Sequence, residues 1–269
     1  ALVGEAPHLV DEWQEVPEVW DSARRRVDEA AGARGLLVLT GSTGLGAERR
    51  RRVRHSGAGR IARLTMRPMS LAETGDSSAA VSLASLFETG ALEPARRETG
   101  LAEVARWCCR GGWPANLGVP DEAALETPAQ YVESALDVNV IEEGRSPETA
   151  RALMLALALN AGQAATYRTL SRDMSYGESS GASDETVAAY LDLLERLHLT
   201  EPLPGWEPPL RAKARVRVKP KRYFVDPSLA AALLGAAPGG LLSDTQTLGL
   251  LFENLVVRDL RVYLSTLPG

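Results

Sequence analysis

Two hydrophobic spacings alternate along the first part of the chain. Pro7 to Glu12 (PHLVDE) is a short apolar run ending in two carboxylates, the pattern of a strand that arrives at a polar edge. From Val16 to Val27, residues Val16, Val19, Trp20, Ala23 and Val27 recur at helical spacing, with Arg24, Arg25 and Arg26 on the other side. Gly32 to Gly35 breaks that pattern. Leu36-Leu37-Val38-Leu39 is then a continuous apolar run bounded by turn residues, which predicts a fully buried parallel strand. Strand, helix and strand within about 35 residues make a βαβ unit. Arg60 to Leu64 predicts a further strand.

The text from Ser70 to Gly144 is helical and irregular, with a turn at Gly111-Gly112-Trp113-Pro114. A clearer plan follows. Glu148 to Asn160, Tyr167 to Asp173 and Asp184 to Leu197 predict three helices, the third opened by Ser183 or Asp184 as N-cap. Its Val187, Tyr190, Leu191, Leu194 and Leu197 share one face. Leu199 to Leu203 and Arg222 to Val225 predict two strands joined by a basic, Pro-containing loop. Three helices and a hairpin are the winged-helix order, a variant of helix-turn-helix. From Leu248 an amphipathic helix begins.

Composition narrows the classes. A chain of 269 residues holds two or three domains. With 45% hydrophobic and 24% charged residues it is globular, neither disordered nor collagen-like. Aromatic residues make up 5%, so Leu, Val and Ala carry the packing, which favours helices over a β-sandwich. The net charge of -5 gives no global attraction to nucleic acid or anionic membrane. The longest apolar run, Leu153–Ala161, is about half the length a membrane helix needs, so no membrane partner is expected. Cys108 and Cys109 are neighbours and close no useful loop, which suits a reducing, cytoplasmic setting. His8, His55 and His198 are scattered and suggest no metal site.

Candidate chemistry begins at Leu9-Val10-Asp11-Glu12. A parallel strand ending in Asp-Glu places Asp11 to hold Mg²⁺ through water and Glu12 to face an attacking water near a γ-phosphate, the Walker B arrangement of P-loop ATPases. The second strand ends in Leu39-Thr40-Gly41-Ser42, where Thr40 or Ser42 is placed to sense that phosphate; the plainer reading is that Thr-Gly-Ser turns the chain. Two basic clusters stand apart. One is Arg49 to Arg54. The other is Arg211, Lys213, Arg215, Arg217, Lys219, Lys221 and Arg222, alternating with small or apolar residues. Such alternation suits a wing strand whose Arg215, Arg217 and Lys219 touch DNA phosphates. Glu185, Asp192 and Glu195 on the third helix would repel those phosphates.

An ordered set of motifs resembles a known family. It comprises Leu9 to Gln14 (LVDEWQ), Val16-Pro17, Leu39 to Ser42, and Gly57 to Ile61. It continues with Arg67 to Leu71 plus Glu73, Gly111 to Pro114, Lys219 to Lys221 with Phe224 and Asp226, and Gly249 to Val256 (GLLFENLV). The chain resembles the prokaryotic AAA+-type ATPases that carry a DUF4143 C-terminal region. The resemblance implies a fold that is α/β and then mostly α. A partial P-loop parallel sheet core would span 1–75, a helical lid-like segment 76–146, a winged helix 147–235, and the start of a nuclease-like region 236–269. It implies ATP and Mg²⁺ as ligands, Asp11 as the metal-associated acid, Glu12 as catalytic base and Thr40 or Ser42 as sensor. Arg60 would touch the γ-phosphate. Glu253, on the last helix, stands where such nuclease-like folds often place a Glu beside a metal site, but with the rest of that site absent from the sequence it reads as an ordinary exposed residue.

One departure is plain. The phosphate cradle G-x-x-x-x-G-K-[ST] is absent, and the three lysines, Lys213, Lys219 and Lys221, lie far downstream. The opening at Ala1, close to an apolar run, reads as part of a longer protein whose cradle lies upstream, so these residues alone should not hydrolyse ATP efficiently. The alternative is a winged-helix module that binds DNA or protein beside a vestigial ATPase core. The oligomeric state is open.

Overall fold

The computed structural model describes residues 5–31, 33–41, 57–92, 94–95, 98–175, 181–206 and 219–267. The chain divides into two units, Ala1–Met66 and Arg67–Gly269. The described residues are mostly helical, with two sheets of two strands each.

In the first unit, β1 (His8–Val10) leads through a 3₁₀ turn at Trp13–Glu15 into α1 (Glu18–Glu29), and β2 (Leu37–Leu39) follows. The expected βαβ order is present. β1 and β2 pair in parallel, His8 with Leu37, Leu9 with Val38 and Val10 with Leu39. The full burial expected of Leu36 to Leu39 is not met: Val38 is 48% exposed, and its partner Leu9 68%. Side chains alternate across a strand, so these registered partners share one face, and that face is open in this two-stranded sheet. Residues Arg60 to Leu64, read as a strand, pair in neither sheet; a turn covers 58–60 and Ile61 onward has no regular structure.

The second unit contains α2 (Leu83–Thr89), α3 (Leu101–Arg110), α4 (Asp121–Ser134), which runs on through a π turn at Ala135–Val140, and α5 (Pro147–Leu159). Then come α6 (Tyr167–Met174), α7 (Asp184–Arg196), β3 (Thr200–Leu203), β4 (Lys221–Phe224), α8 (Pro227–Leu233), α9 (Pro238–Ser243) and α10 (Thr245–Ser265). Local chemistry accounts for the helix starts. Ser146, Thr166 and Ser183 cap α5, α6 and α7, each side chain accepting from the backbone N–H three residues on. Pro147 stands at the first position of α5, where its missing N–H costs nothing.

One core serves the whole unit. It runs from Ala105 on α3 to Leu255 on α10 and takes residues from every helix between them. The short helix α8 lies at its centre, packed against α3, α4, α5 and α10. Its sequence, PSLAAAL, explains the position: Ala230 and Ala231 are buried and small enough for four helices to approach. Each fully buried leucine in this core, such as Leu153, Leu193 or Leu251, contributes about 1.5–3 kcal/mol. The expected divisions at 146 and 235 fall inside this shared core. β3 and β4 are antiparallel, with Thr200 opposite Phe224 and Leu203 opposite Lys221. No helix among the described residues is long and apolar enough to cross a membrane.

Three of the motifs quoted above, at 67–73, 111–114 and 224–226, meet around a buried charge cluster. Asp226 is 0% exposed, and Arg258 and Asp259 on α10 are also buried. Asp226 Oδ2 accepts from Arg258 Nη1 at 2.8 Å and from Gly112 N at 2.9 Å. Its Oδ1 accepts from Ser228 N and Oγ. Asp259 Oδ1 accepts from Arg258 Nε and Nη2, while its Oδ2 accepts from Leu71 N at 3.0 Å. Gly111 and Gly112 make the approach possible. Gly111 has φ 71°, and a Cβ on Gly112 would lie 2.0 Å from Met69 O. Met69 N in turn donates to Gly112 O at 2.7 Å.

Candidate functional site

A parallel pair brings both strand ends to the same edge, where ligands of open α/β sheets bind. The pairing extends past β1 and β2, because Thr40 N donates to Val10 O at 2.9 Å and Trp13 N to Thr40 O at 3.1 Å. Asp11 and Thr40 are thereby held side by side at the carboxyl edge. Thr40 Oγ1 donates to Asp11 Oδ1, which also accepts from Glu12 N at 3.1 Å. Of the two residues read as sensors, Thr40 is thus joined to Asp11. Ser42 lies outside the described residues.

Glu12 follows in a left-handed conformation, φ 48° and ψ 43°, which costs a non-glycine residue about 1–2 kcal/mol. The 3₁₀ turn holds it there, with Glu15 N donating to Glu12 O at 2.9 Å. Its carboxylate is solvent-exposed and its Oε2 accepts from Gln14 Nε2. Trp13 packs against Trp20, ring centroids 5.0 Å apart, and the Arg63 guanidinium lies 5.7 Å from the Trp20 ring centroid. Gln14 belongs to the LVDEWQ motif, but its residue type alone carries no signal of its contact with Glu12.

Arg60 is placed elsewhere in the unit. Its Nε donates to Asp28 Oδ1 at 2.5 Å in the last turn of α1, and Asp28 also pairs with Arg24 at 3.1 Å. The structure therefore joins Asp11 to Thr40, with Glu12 next in the chain, and sets Arg60 on Asp28.

The Asp11 carboxylate beside the Thr40 hydroxyl fits Mg²⁺, which takes one or two carboxylates and completes its shell with water and substrate phosphates. These two groups do not make a closed cage, and no group of three or more His, Cys, Asp or Glu able to hold a metal occurs among the described residues.

Of the residues read as DNA contacts, Arg215 and Arg217 lie outside the described residues, as does Arg49 to Arg54. Lys219 is exposed just before β4. Arg222 is engaged: its Nη1 donates to Ala165 O at 2.6 Å and its guanidinium lies 5.6 Å from the Tyr167 ring centroid. On α7, Glu185, Asp192 and Glu195 are exposed. Glu253 is engaged too, accepting from Lys221 Nζ at 2.7 Å and Tyr223 OH at 2.6 Å. Those hydrogen bonds, Lys221 first, hold its carboxyl below the usual range, and burial, together with the Glu253 contact, pushes Tyr223 up.

A family model described as a domain of unknown function, DUF8612, matches residues 101–239, which is 139 of the 269 residues and more than half of the chain. The chain belongs to that family. The match lies within the second unit and covers α3 to α8, with β3 and β4. No curated protein and no solved structure matches the chain.

Proposed function

We propose that the chain is part of a cytoplasmic P-loop ATPase of the AAA+ type, similar to those with a DUF4143 region, and that Asp11, Glu12 and Thr40 form its hydrolytic edge. The observation that carries the reading is the Thr40 Oγ1 to Asp11 Oδ1 hydrogen bond at the carboxyl ends of two parallel strands. When bound, Mg²⁺ supplies charge neutralisation for the triphosphate. Asp11 would hold it, Thr40 fixes the Asp11 carboxylate, and Glu12 accepts a proton from the attacking water. Since the 269 residues contain no G-x-x-x-x-G-K-[ST], the reading requires a phosphate cradle from elsewhere in the protein.

A winged helix formed by α5, α6, α7, β3 and β4 belongs to the same reading. Supporting it, Gly162 N donates to Arg222 O at 2.9 Å and Arg222 N to Gln163 O at 3.2 Å. These bonds add a strand-like contact from between the first two helices to the hairpin. The alternative, a winged-helix module beside a vestigial ATPase core, is favoured in its protein-binding form by the exposed acids of α7, which oppose phosphate contact.

The test is Glu12→Gln in the full-length gene product. It should keep Mg-ATP affinity and lower turnover on the order of 10²- to 10⁴-fold, the range for loss of a general base. Unchanged turnover refutes the assignment.

A further inference from the structure

The two acids of the proposed edge are oriented by different donors. Thr40, from the tip of β2, holds Asp11. The Glu12 carboxylate is held by the Gln14 carboxamide, through Nε2 to Oε2. Gln14 is only 4% exposed, and its surroundings restrict it. The residue before it is tied to β2, Trp13 N donating to Thr40 O. Gly41 then closes over the amide, since a Cβ there would stand 2.2 Å from Gln14 Oε1 and 3.1 Å from its Cδ. Packed in this way the buried amide has little room to move, whereas the carboxylate it touches is exposed. Glu12 itself has left-handed backbone angles, outside the extended geometry of β1.

We propose that Gln14 is the positioning residue for Glu12, which rests on the ATPase reading above. Water oxygen forms a bond to the γ-phosphorus as the bond from that phosphorus to the β–γ bridging oxygen breaks. ADP leaves with that electron pair, and the proton lost by the water passes to a Glu12 oxygen and then to solvent. Gln14 exchanges no proton. It fixes which way the Glu12 carboxylate faces, and hence where the water it accepts from must stand. Gly41 acts in the same assembly by leaving room for the amide.

The experiment uses the full-length gene product with Gln14→Met, which keeps the side-chain length and removes the donor, alone and combined with Glu12→Gln. Affinity for a fluorescent ATP analogue with Mg²⁺ counts the competent sites; steady-state hydrolysis gives kcat and KM. Gln14→Met should lower kcat on the order of 10- to 100-fold, as misplacement of a catalytic group does, with KM and analogue affinity unchanged. In the Glu12→Gln background the same change should cost nothing further, because both substitutions remove one function. If Gln14→Met fails to fold, Gly41→Ala is read in the same way, since its methyl displaces the amide from the opposite side. A kcat per competent site within about twofold of wild type, beside a Glu12→Gln that has lost turnover, overturns the role of Gln14 alone. So does a full extra loss in the Glu12→Gln background. Turnover unaffected by Glu12→Gln overturns the parent reading and this inference with it.

Discussion

Asp226, Arg258 and Asp259 place two carboxylates and one guanidinium inside the core, where isolated charges are costly. Every one of these groups is hydrogen-bonded, Asp226 by four donors from Arg258, Gly112 and Ser228. Burial alone would lower the Arg258 pKa, but the charges of Asp226 and Asp259 outweigh it and hold the guanidinium above its ordinary value. Arg258→Met removes the shared cation and leaves two acids buried without it. Unfolding by urea should show a loss of about 3–5 kcal/mol, the usual cost of breaking a buried pair from one side. Asp226 was visible in the sequence as part of a motif, and its partner was not. Arg258 follows 32 residues later on α10, where charged residues in an amphipathic pattern are read as facing water. The same limit applied in the first unit. Asp11 and Thr40 were readable as strand ends, whereas the Gln14 contact depends on a tight turn that the residue types do not announce.

Among the elements, helices were read best where caps and periodicity agree. α7 opens at Ser183 as its pattern implies, with Ser183 Oγ accepting from Thr186 N at 3.2 Å. Ser183→Ala should therefore lower stability by about 1 kcal/mol, measurable as a fall in thermal midpoint with the fold retained. The β1–β2 pairing was legible for a similar reason, since two short apolar runs separated by a helix have few other ways to meet. Their degree of burial was not. A continuous apolar run expects layers on both faces, and with Leu9 and Val38 open on one face the residue types overstate what covers this sheet. The Arg60 contact with Asp28 was not legible, because a surface arginine read as a γ-phosphate contact has many acids within reach.

At the scale of the molecule, the family match at 101–239 is smaller than the unit that contains it. Leu71 lies before it and α10 after it, yet Leu71 N binds Asp259 and Arg258 binds Asp226. Arg67 adds a bidentate pair with Glu201, at 3.1 and 2.6 Å. A fragment limited to 101–239 leaves Asp226 buried without its guanidinium and strips α10 from the core. Expressed alone, it should lack a cooperative unfolding transition, whereas a fragment of 67–269 should keep one; circular dichroism during urea titration distinguishes the two. Sequence patterns set divisions at 146 and 235 because each run of elements has its own rhythm. Burial decides differently, since α8 is too small to close any core without α3, α5 and α10 around it.

Cys108 and Cys109 sit on α3 within that core as free thiols. Burial, with the nearby Cys109 and Asp226 charges, pushes Cys108 up to about 12, and burial pushes Cys109 up to about 11. Thiolates react and thiols hardly do, so neither sulfur is available to an alkylating reagent while α3 keeps its seat. The pair is a clock wired into the fold, and the rate at which it takes up label counts how often the interior breathes.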